Sequence, residues 1–386
     1  MANNNKHTGP NVPALRFPEF SGEWEQHSLS DYIRFKNGLN PDAKRFGKGI
    51  KFISVMDILN NASISYDCVR ASVAATEQEI SDFEVEYGDV LFQRSSETLE
   101  DIGRSNIYVD SRHCVFGGFV IRGKKIGEYE PYFMKYRLDS PYARKSIIVK
   151  GAGAQHFNIG QEGLSKVELF FPKYEEQVKI GDLLRIIDDR INTQSKIIEE
   201  QETLLRSLRH KIYSRVQAQS QCTIADVLCY EQPTKYLVTD TDYTDDDSQV
   251  PVLTANKAFI LGYTTENFGI YDKGPCIILD DFTLDCKYVD FKFKVKSSAI
   301  KILRAKAKTN LRFIFEYFRF LELNTTEHRR HYIAEIEPMS ILLPSNEEID
   351  RIARLFTALD ERLETARKEL KILESQKMYM LQKMFI

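Results

Sequence analysis

PKYEEQVKIGDLLRIIDDRI runs from Pro172 to Ile191, and PSNEEIDRIARLFTALDERL runs from Pro344 to Leu363. The second stretch is the first met again, 172 positions later. Pro172 matches Pro344, Glu175 and Glu176 match Glu347 and Glu348, Ile180 matches Ile352, Asp188 matches Asp360 and Arg190 matches Arg362. Further on, Lys211 matches Lys383, and no gap is needed. An internal repeat fixes the layout of a chain before any local motif does. Here it divides 386 residues into a globular half, a long helix, a second globular half and a second long helix.

From Glu175 to Val216 there is no proline, and Gly181 is the only glycine. Leu184, Ile191, Ile198, Leu205 and Ile212 are spaced by seven, and Ile180, Ile187 and Leu208 hold the complementary register together with Gln194 and Gln201. In the second copy Phe356, Leu363, Leu370 and Met384 hold one register, interrupted by Lys377, while Ile352, Leu359, Ala366, Leu373 and Met380 hold the other. Apolar residues at both heptad positions over four heptads signal a coiled coil. At ~1.5 Å per residue each helix makes a rod of roughly 60 Å, longer than a small domain is wide. The intervening globular half must carry the chain back to the far end of the first rod, so the expected pairing is antiparallel and within one chain. Glutamines on the seam cost stability but fix register.

The globular halves match more faintly. LSDYI (Leu29–Ile33) resembles IADVL (Ile224–Leu228), GDVLFQRSS (Gly88–Ser96) resembles GPCIILDDF (Gly274–Phe282), and VELFFP (Val167–Pro172) resembles SILLP (Ser340–Pro344). Each match is short, but all come in the same order ahead of the strong helix repeat. The expected fold is therefore α+β: two α/β domains separated by two long helices that pair as an antiparallel coiled coil. Its divisions are a disordered tail over residues 1–14, a first domain over 15–172, a central helix over 173–219, a second domain over 220–344 and a C-terminal helix over 345–386.

Composition excludes several classes. A hydrophobic content of 42% with no apolar run near ~18 residues implies a folded chain without a membrane span. Six cysteines form no CxxC pair, which disfavours zinc. Without a signal-peptide pattern they fit a reducing cytoplasm. The net charge of −3 is not the basic footprint usual for nucleic-acid binding, yet local clusters matter more than the sum.

Catalytic signatures fail one by one. Gly118–Lys125 falls a residue short of a phosphate-binding loop, because Lys125 stands where a hydroxyl should meet magnesium. GAGAQH (Gly151–His156) lacks the third glycine of a dinucleotide site. Asp280, Asp285 and Lys287 share one turn and have no acidic counterpart in the first half, where Gln93 and Arg94 stand. There is no Asn-Pro-Pro-aromatic, HExxH or GxSxG motif. A binding protein is favoured over an enzyme, with no cofactor or metal expected in the chain itself.

Five stretches carry a resemblance: LRFPEFSGEWEQHSLSDY (Leu15–Tyr32), FNIGQEGLSKVELFFPKYEEQVKIGDLL (Phe157–Leu184), VPVLTANKAFILGYT (Val250–Thr264), YVDFKFKVKSSAIKIL (Tyr288–Leu303) and YMLQKMFI (Tyr379–Ile386). In sequence and order they resemble the specificity subunit of type I restriction–modification systems. The resemblance implies that each globular half is a target-recognition domain reading one half of a split, asymmetric site on double-stranded DNA. It implies that the helices space the half-sites and dock two methyltransferase subunits, with restriction/translocase subunits joining the larger assembly. S-adenosylmethionine, ATP and magnesium would then belong to those partners. The competing expectation is a coiled-coil scaffold whose two halves bind proteins or ligands and never meet DNA.

If DNA is the target, cations should meet phosphates and paired donors and acceptors should meet bases. In the first half the candidates are Lys44, Arg45 and Lys48, then Arg94, Ser95, Ser96 and Arg104 after a buried strand, and Gln155, His156 and Asn158 in a second polar loop. In the second half they are Lys257, Asp281, Thr283, Arg329, Arg330 and His331. Met380, Met384, Phe385 and Ile386 form an apolar end expected to pack beside the first rod or on a partner.

Overall fold

The computed structural model describes residues 11–153, 156–254, 259–306, 309–323, 325, 327 and 329–386. The start of the expected tail and the candidates Gln155 and Lys257 lie outside these residues. Two units emerge: Met1–Ser195 with Glu369–Ile386, and Lys196–Lys368. Among the described residues no helix is long and apolar enough to cross a membrane.

In the first unit β1 (Glu25–Ser28), α1 (Leu29–Tyr32) and β2 (Ile33–Asn37) are followed by β3 (Phe46–Ile53), α2 (Val55–Asn60), β4 (Ser72–Val73), α3 (Glu77–Phe83) and β5 (Glu84–Val85). Then come β6 (Val90–Gln93), β7 (Ser95–Ser96), β8 (Ser105–Ile107), β9 (Cys114–Phe116), β10 (Val120–Lys125), α4 (Pro131–Asp139), α5 (Pro141–Ile148), β11 (Phe157–Asn158), α6 (Gln161–Ser165), β12 (Glu168–Phe171) and the long α7 (Tyr174–Tyr213). The central sheet has the antiparallel order β2-β10-β6-β8. Side chains alternate across a strand, so Val90 and Phe92 of β6 enter the core under α4 while Leu91 enters a second core with Ile53 and Phe116. Burial on both faces explains why β6 reads as an unbroken apolar run.

The second unit contains β13 (Ser220–Thr223), α8 (Ile224–Val227), β14 (Leu228–Glu231), β15 (Val250–Leu253), β16 (Ile260–Thr264), β17 (Cys276–Asp280), β18 (Cys286–Val289), β19 (Lys294–Val295), β20 (Ile300–Ala305), α9 (Leu311–Leu321), β21 (Ser340–Leu343) and the start of α10 (Asn346–Lys383). Its plan repeats the first. β13 pairs with β21 as β1 pairs with β12, and the sheet order β14-β20-β17-β18 repeats β2-β10-β6-β8. Even the short helix after the first strand starts alike: Ser28 with Asp31, and Thr223 with Asp226, form capping boxes that satisfy opening N–H groups. A π-helical turn, Tyr332–Ile336, stands between α9 and β21, where the first unit carries α5, β11 and α6.

Each unit contains part of both long helices, and in each the two run antiparallel. In the first, Asp188 pairs with Lys377 at 2.6 Å and Gln194 donates to Glu369 at 3.1 Å. In the second, Glu202 pairs with Arg367 at 2.7 Å, and the Tyr213 and Phe356 rings lie 6.4 Å apart. Burial follows the heptads. Ile180, Leu184, Ile187, Leu205, Ile352, Phe356 and Leu363 are buried, while Ile191, Ile198, Leu359, Leu370 and Leu373 are half-buried.

The last residues do more than flank a rod. Leu381, Met384 and Phe385 enter the core of the first unit, with the Phe385 ring 6.3 Å from Trp24 and 5.7 Å from Phe133. Arg137, wholly buried, donates to Ile386 O at 2.5 Å. An N-terminal strap meets the same end: Leu15 N–H donates to Lys383 O at 2.9 Å, and Arg16 pairs with Glu176 at 2.7 Å. Order begins before residue 14, since Asn11 O accepts from Trp24 N–H at 2.8 Å.

Candidate nucleic-acid interface

The buried run of β6 ends at Gln93, and the chain turns there because its next ladder partners come from three other loops. Gln93 N–H donates to Arg104 O at 2.7 Å, Arg94 N–H to Phe119 O at 2.9 Å, and Ile159 N–H to Arg94 O at 3.0 Å. Strand β7 then pairs with β11. Ser95 Oγ donates to Asn158 Oδ1 at 2.5 Å, and Gln93 Nε2 donates to Ser95 O at 2.8 Å. Two loops that the sequence offers separately are thus one polar surface carrying Arg94, Ser95, Ser96 and Asn158, with His156 exposed beside it. Arg94 reaches Gly118 O at 3.3 Å. Arg104 is exposed and paired with Asp101 at 2.7 Å. Such a pair is worth little in water and yields readily to a phosphate.

Two residues of this surface escape sequence reasoning. Phe119 is 70% exposed at the tip between β9 and β10. Asn40 fills the space beside that tip: a Cβ on Gly118 would lie 1.8 Å from Asn40 Oδ1, so any larger residue there would have to displace the Asn40 side chain. The Gly-Gly pair before Phe119 is the one sequence signal of a tight turn.

The cluster Lys44, Arg45 and Lys48 divides. Arg45 donates to Glu79 Oε1 at 3.0 Å and to Ala74 O at 2.8 Å, and this guanidinium holds the Glu79 carboxyl down at about 2. Arg45 therefore braces β3 against α3. Lys44 and Lys48 are exposed. Lys48 stands on a bulge of β3, where Phe46 and Ile50 share one partner, Val73, and the flanking Gly47 and Gly49 take positive φ.

In the second unit the equivalent turn has different chemistry. The registers Val120 with Gln93 and Ile300 with Asp280 make Arg94 and Asp281 structural counterparts, and Asp281 N–H donates to Ala299 O as Arg94 N–H does to Phe119 O. Asp281 is a correction to its expected surface role. It is 1% exposed, accepts from Tyr332 N–H at 2.8 Å and His331 N–H at 3.1 Å, and lies 3.2 Å from Lys301 Nζ. His331 is buried too, with Nδ1 3.0 Å from Glu335 Oε2. Burial pushes its imidazole toward neutrality, but the Glu327 carbonyl and the Glu335 carboxylate outweigh this, and its pKa is raised. Both residues anchor the π-helical turn instead of facing solvent. Thr283, Arg329 and Arg330 are exposed, and Arg329 pairs with Glu335 at 2.5 Å. Asp280 accepts from Phe282 and Thr283 N–H groups at 2.8 and 3.0 Å, which makes it a turn-former.

In the first unit an open groove of about 600 Å³ runs between α7 and α10, lined by Ile186, Asp189, Arg190, Thr193, Gln194, Glu369, Ile372, Leu373 and Gln376. Ile186 and Ile372 are more than half exposed.

Comparison with known proteins adds the missing frame. Residues 21–202 match the family model of the type I restriction modification DNA specificity domain. The type I restriction enzyme EcoR124I/EcoR124II specificity subunit of Escherichia coli is 42% identical over 156 residues, which are 36% of this chain and only 38% of that protein. The putative type I restriction enzyme MjaX specificity subunit of Methanocaldococcus jannaschii is 23% identical over 95% of this chain and 94% of its own. Among solved structures, the type I S subunit from M. genitalium has a TM-score of 0.68 at 14% identity, covering 97% of this chain and 99% of that one. A chain from a structure on assembly and conformational transition of the type I R-M system has a TM-score of 0.54 at 11% identity, covering 93% and 96%. The structural likeness extends the doubled plan over nearly the whole length, and the sequence matches attach to the same plan. Residues 21–202 thus carry a type I restriction modification DNA specificity domain, and over nearly its whole length the chain is similar to type I specificity subunits.

Proposed function

We propose that this chain reads a bipartite, asymmetric site on double-stranded DNA, one half-site per unit, and directs methyltransferase and restriction subunits to it. The observation that carries this reading is the same sheet turn built twice with different surfaces, Arg94, Ser95 and Asn158 in one unit, and the exposed Thr283 and Arg330 around a buried Asp281 in the other. A shared frame suits two readers meeting equivalent DNA halves, and unlike side chains suit unlike sequences. The chain acts in binding alone: methyl transfer and cleavage, with S-adenosylmethionine, ATP and magnesium, belong to the partners. The groove beside Ile186 and Ile372 suits a methyltransferase subunit, because apolar centres with polar rims make protein interfaces.

Phosphate contact makes affinity fall steeply with salt, by counterion release. The test is a salt titration of the subunit with its methyltransferase on duplex DNA. Lys48→Ala is expected to lower the log–log slope by about 1 without changing base preference. Arg94→Ala is expected to weaken one half-site by about 1–3 kcal/mol. Affinity indifferent to salt would favour the scaffold reading.

A further inference from the structure

We infer that Phe119 is a base-reading side chain that packs on the methyl group of a thymine in the half-site of the first unit. The inference rests on the DNA reading above and names what one residue of that surface recognises.

A lone exposed apolar side chain is ordinary on a protein surface. Phe119 differs in how it is held. The residue is 70% exposed, yet the backbone around it is held by several hydrogen bonds. Phe119 O accepts from Arg94 N–H at 2.9 Å, Val120 N–H closes the turn onto Gly117 O at 2.9 Å, and Leu39 N–H ties Phe116 O at 2.9 Å. Arg94 also donates to Gly118 O at 3.3 Å, and Asn40 occupies the space a side chain at 118 would need. A rigid tip loses little freedom when it docks, which favours binding. The neighbours are Arg94, Ser95 and Asn158, a cation and two donor–acceptor groups of the kind that read base edges. Hydrogen-bonding groups cannot recognise the thymine methyl, the one apolar feature of the major-groove edge, and an aromatic ring can. At the counterpart position the second unit has Ala299, so the ring serves one half-site only.

The experiment uses the full chain assembled with its methyltransferase subunits and a randomised duplex pool made in parallel with thymine and with uracil. Wild type is expected to select a two-part consensus. Phe119→Ala should lose about tenfold in affinity at one T·A position of one half-site. It should leave the other half-site intact and cease to distinguish thymine from uracil at that position. Phe119→Leu should retain most of the preference. Thermal unfolding of both variants should stay within about 2 °C of wild type, because the ring is exposed. An unchanged Phe119→Ala consensus would overturn the inference, as would an equal loss on uracil DNA, which would point to a wedge between base steps. If wild type selects no consensus at all, the DNA reading itself has failed, and this inference falls with it.

Discussion

Asp188 and Asp360 stand at the same place in the repeat and receive different partners. Asp188 takes Lys377 at 2.6 Å, Tyr136 Oη at 2.9 Å and Lys135 at 3.5 Å. Asp360 takes Arg312, which also binds Glu316 at 2.7 Å, and Glu316 in turn holds Arg209 at 2.8 Å. Lys377, which interrupts the heptads, is thus the counter-charge of a nearly buried carboxylate. Burial works to raise the Asp188 pKa, but Lys135, Lys377 and the Tyr136 hydroxyl outweigh it, and the net shift is downward. A depressed carboxylate pKa contributes stability above its unfolded value, and that contribution is lost as pH falls through the folded value. Asp188→Ala should destabilise the first unit by about 3 kcal/mol near neutral pH, because Lys377 loses its partner and the buried Lys135 keeps only Asp139, at 3.4 Å. The only tryptophan, Trp24, lies in that unit's core, so its fluorescence during urea unfolding measures this unit. The variant should also lose less stability than wild type on acidification below roughly pH 4.

At the level of elements, the end of α10 is a part of the first unit's core. Phe385→Ala should cost about 3–5 kcal/mol through the cavity it leaves and shift the Trp24 transition. Its repeat counterpart Tyr213, stacked on Phe320 at 5.6 Å in the second unit, should leave that transition in place when changed to Ala. Spacing made the helices legible, because a 3.5-residue period maps directly onto one face: Leu184, Phe356 and Leu363 are buried as their positions imply. The turns at Leu29 and Ile224 were legible only as the match of LSDYI with IADVL, and the structure adds their capping boxes. The destination of Phe385 was not, since Trp24 is remote in sequence. At the candidate site Arg94 and Asn158 could be picked out as polar loop residues, but the pairing of β7 with β11 could not. Two-residue strands carry no periodicity. Asp281 and His331 look like surface residues by type. Only the fold reveals that Lys301, set in the apolar run of β20, turns toward Asp281 and accounts for its burial.

For the whole molecule, the proposed spacing role of the helices has a direct test. Seven residues added to α7 after Ser195 and seven to α10 before Glu369 keep the heptad phase and leave each unit's own core unaltered. The insertion adds ~10 Å of helix, about three base pairs. Methylation mapping in cells should then show a longer unread spacer between unchanged half-site bases, and an unaltered spacer would sink the idea. The division of the chain also sets an order of completion during synthesis. Lys196–Lys368 is one continuous stretch and contains its unit's main core. The first unit's core includes Leu381, Met384 and Phe385, which are made after the whole of the second unit. The half made first therefore closes second: until residue 385 arrives, Trp24 and Phe133 await a ring on which their packing depends.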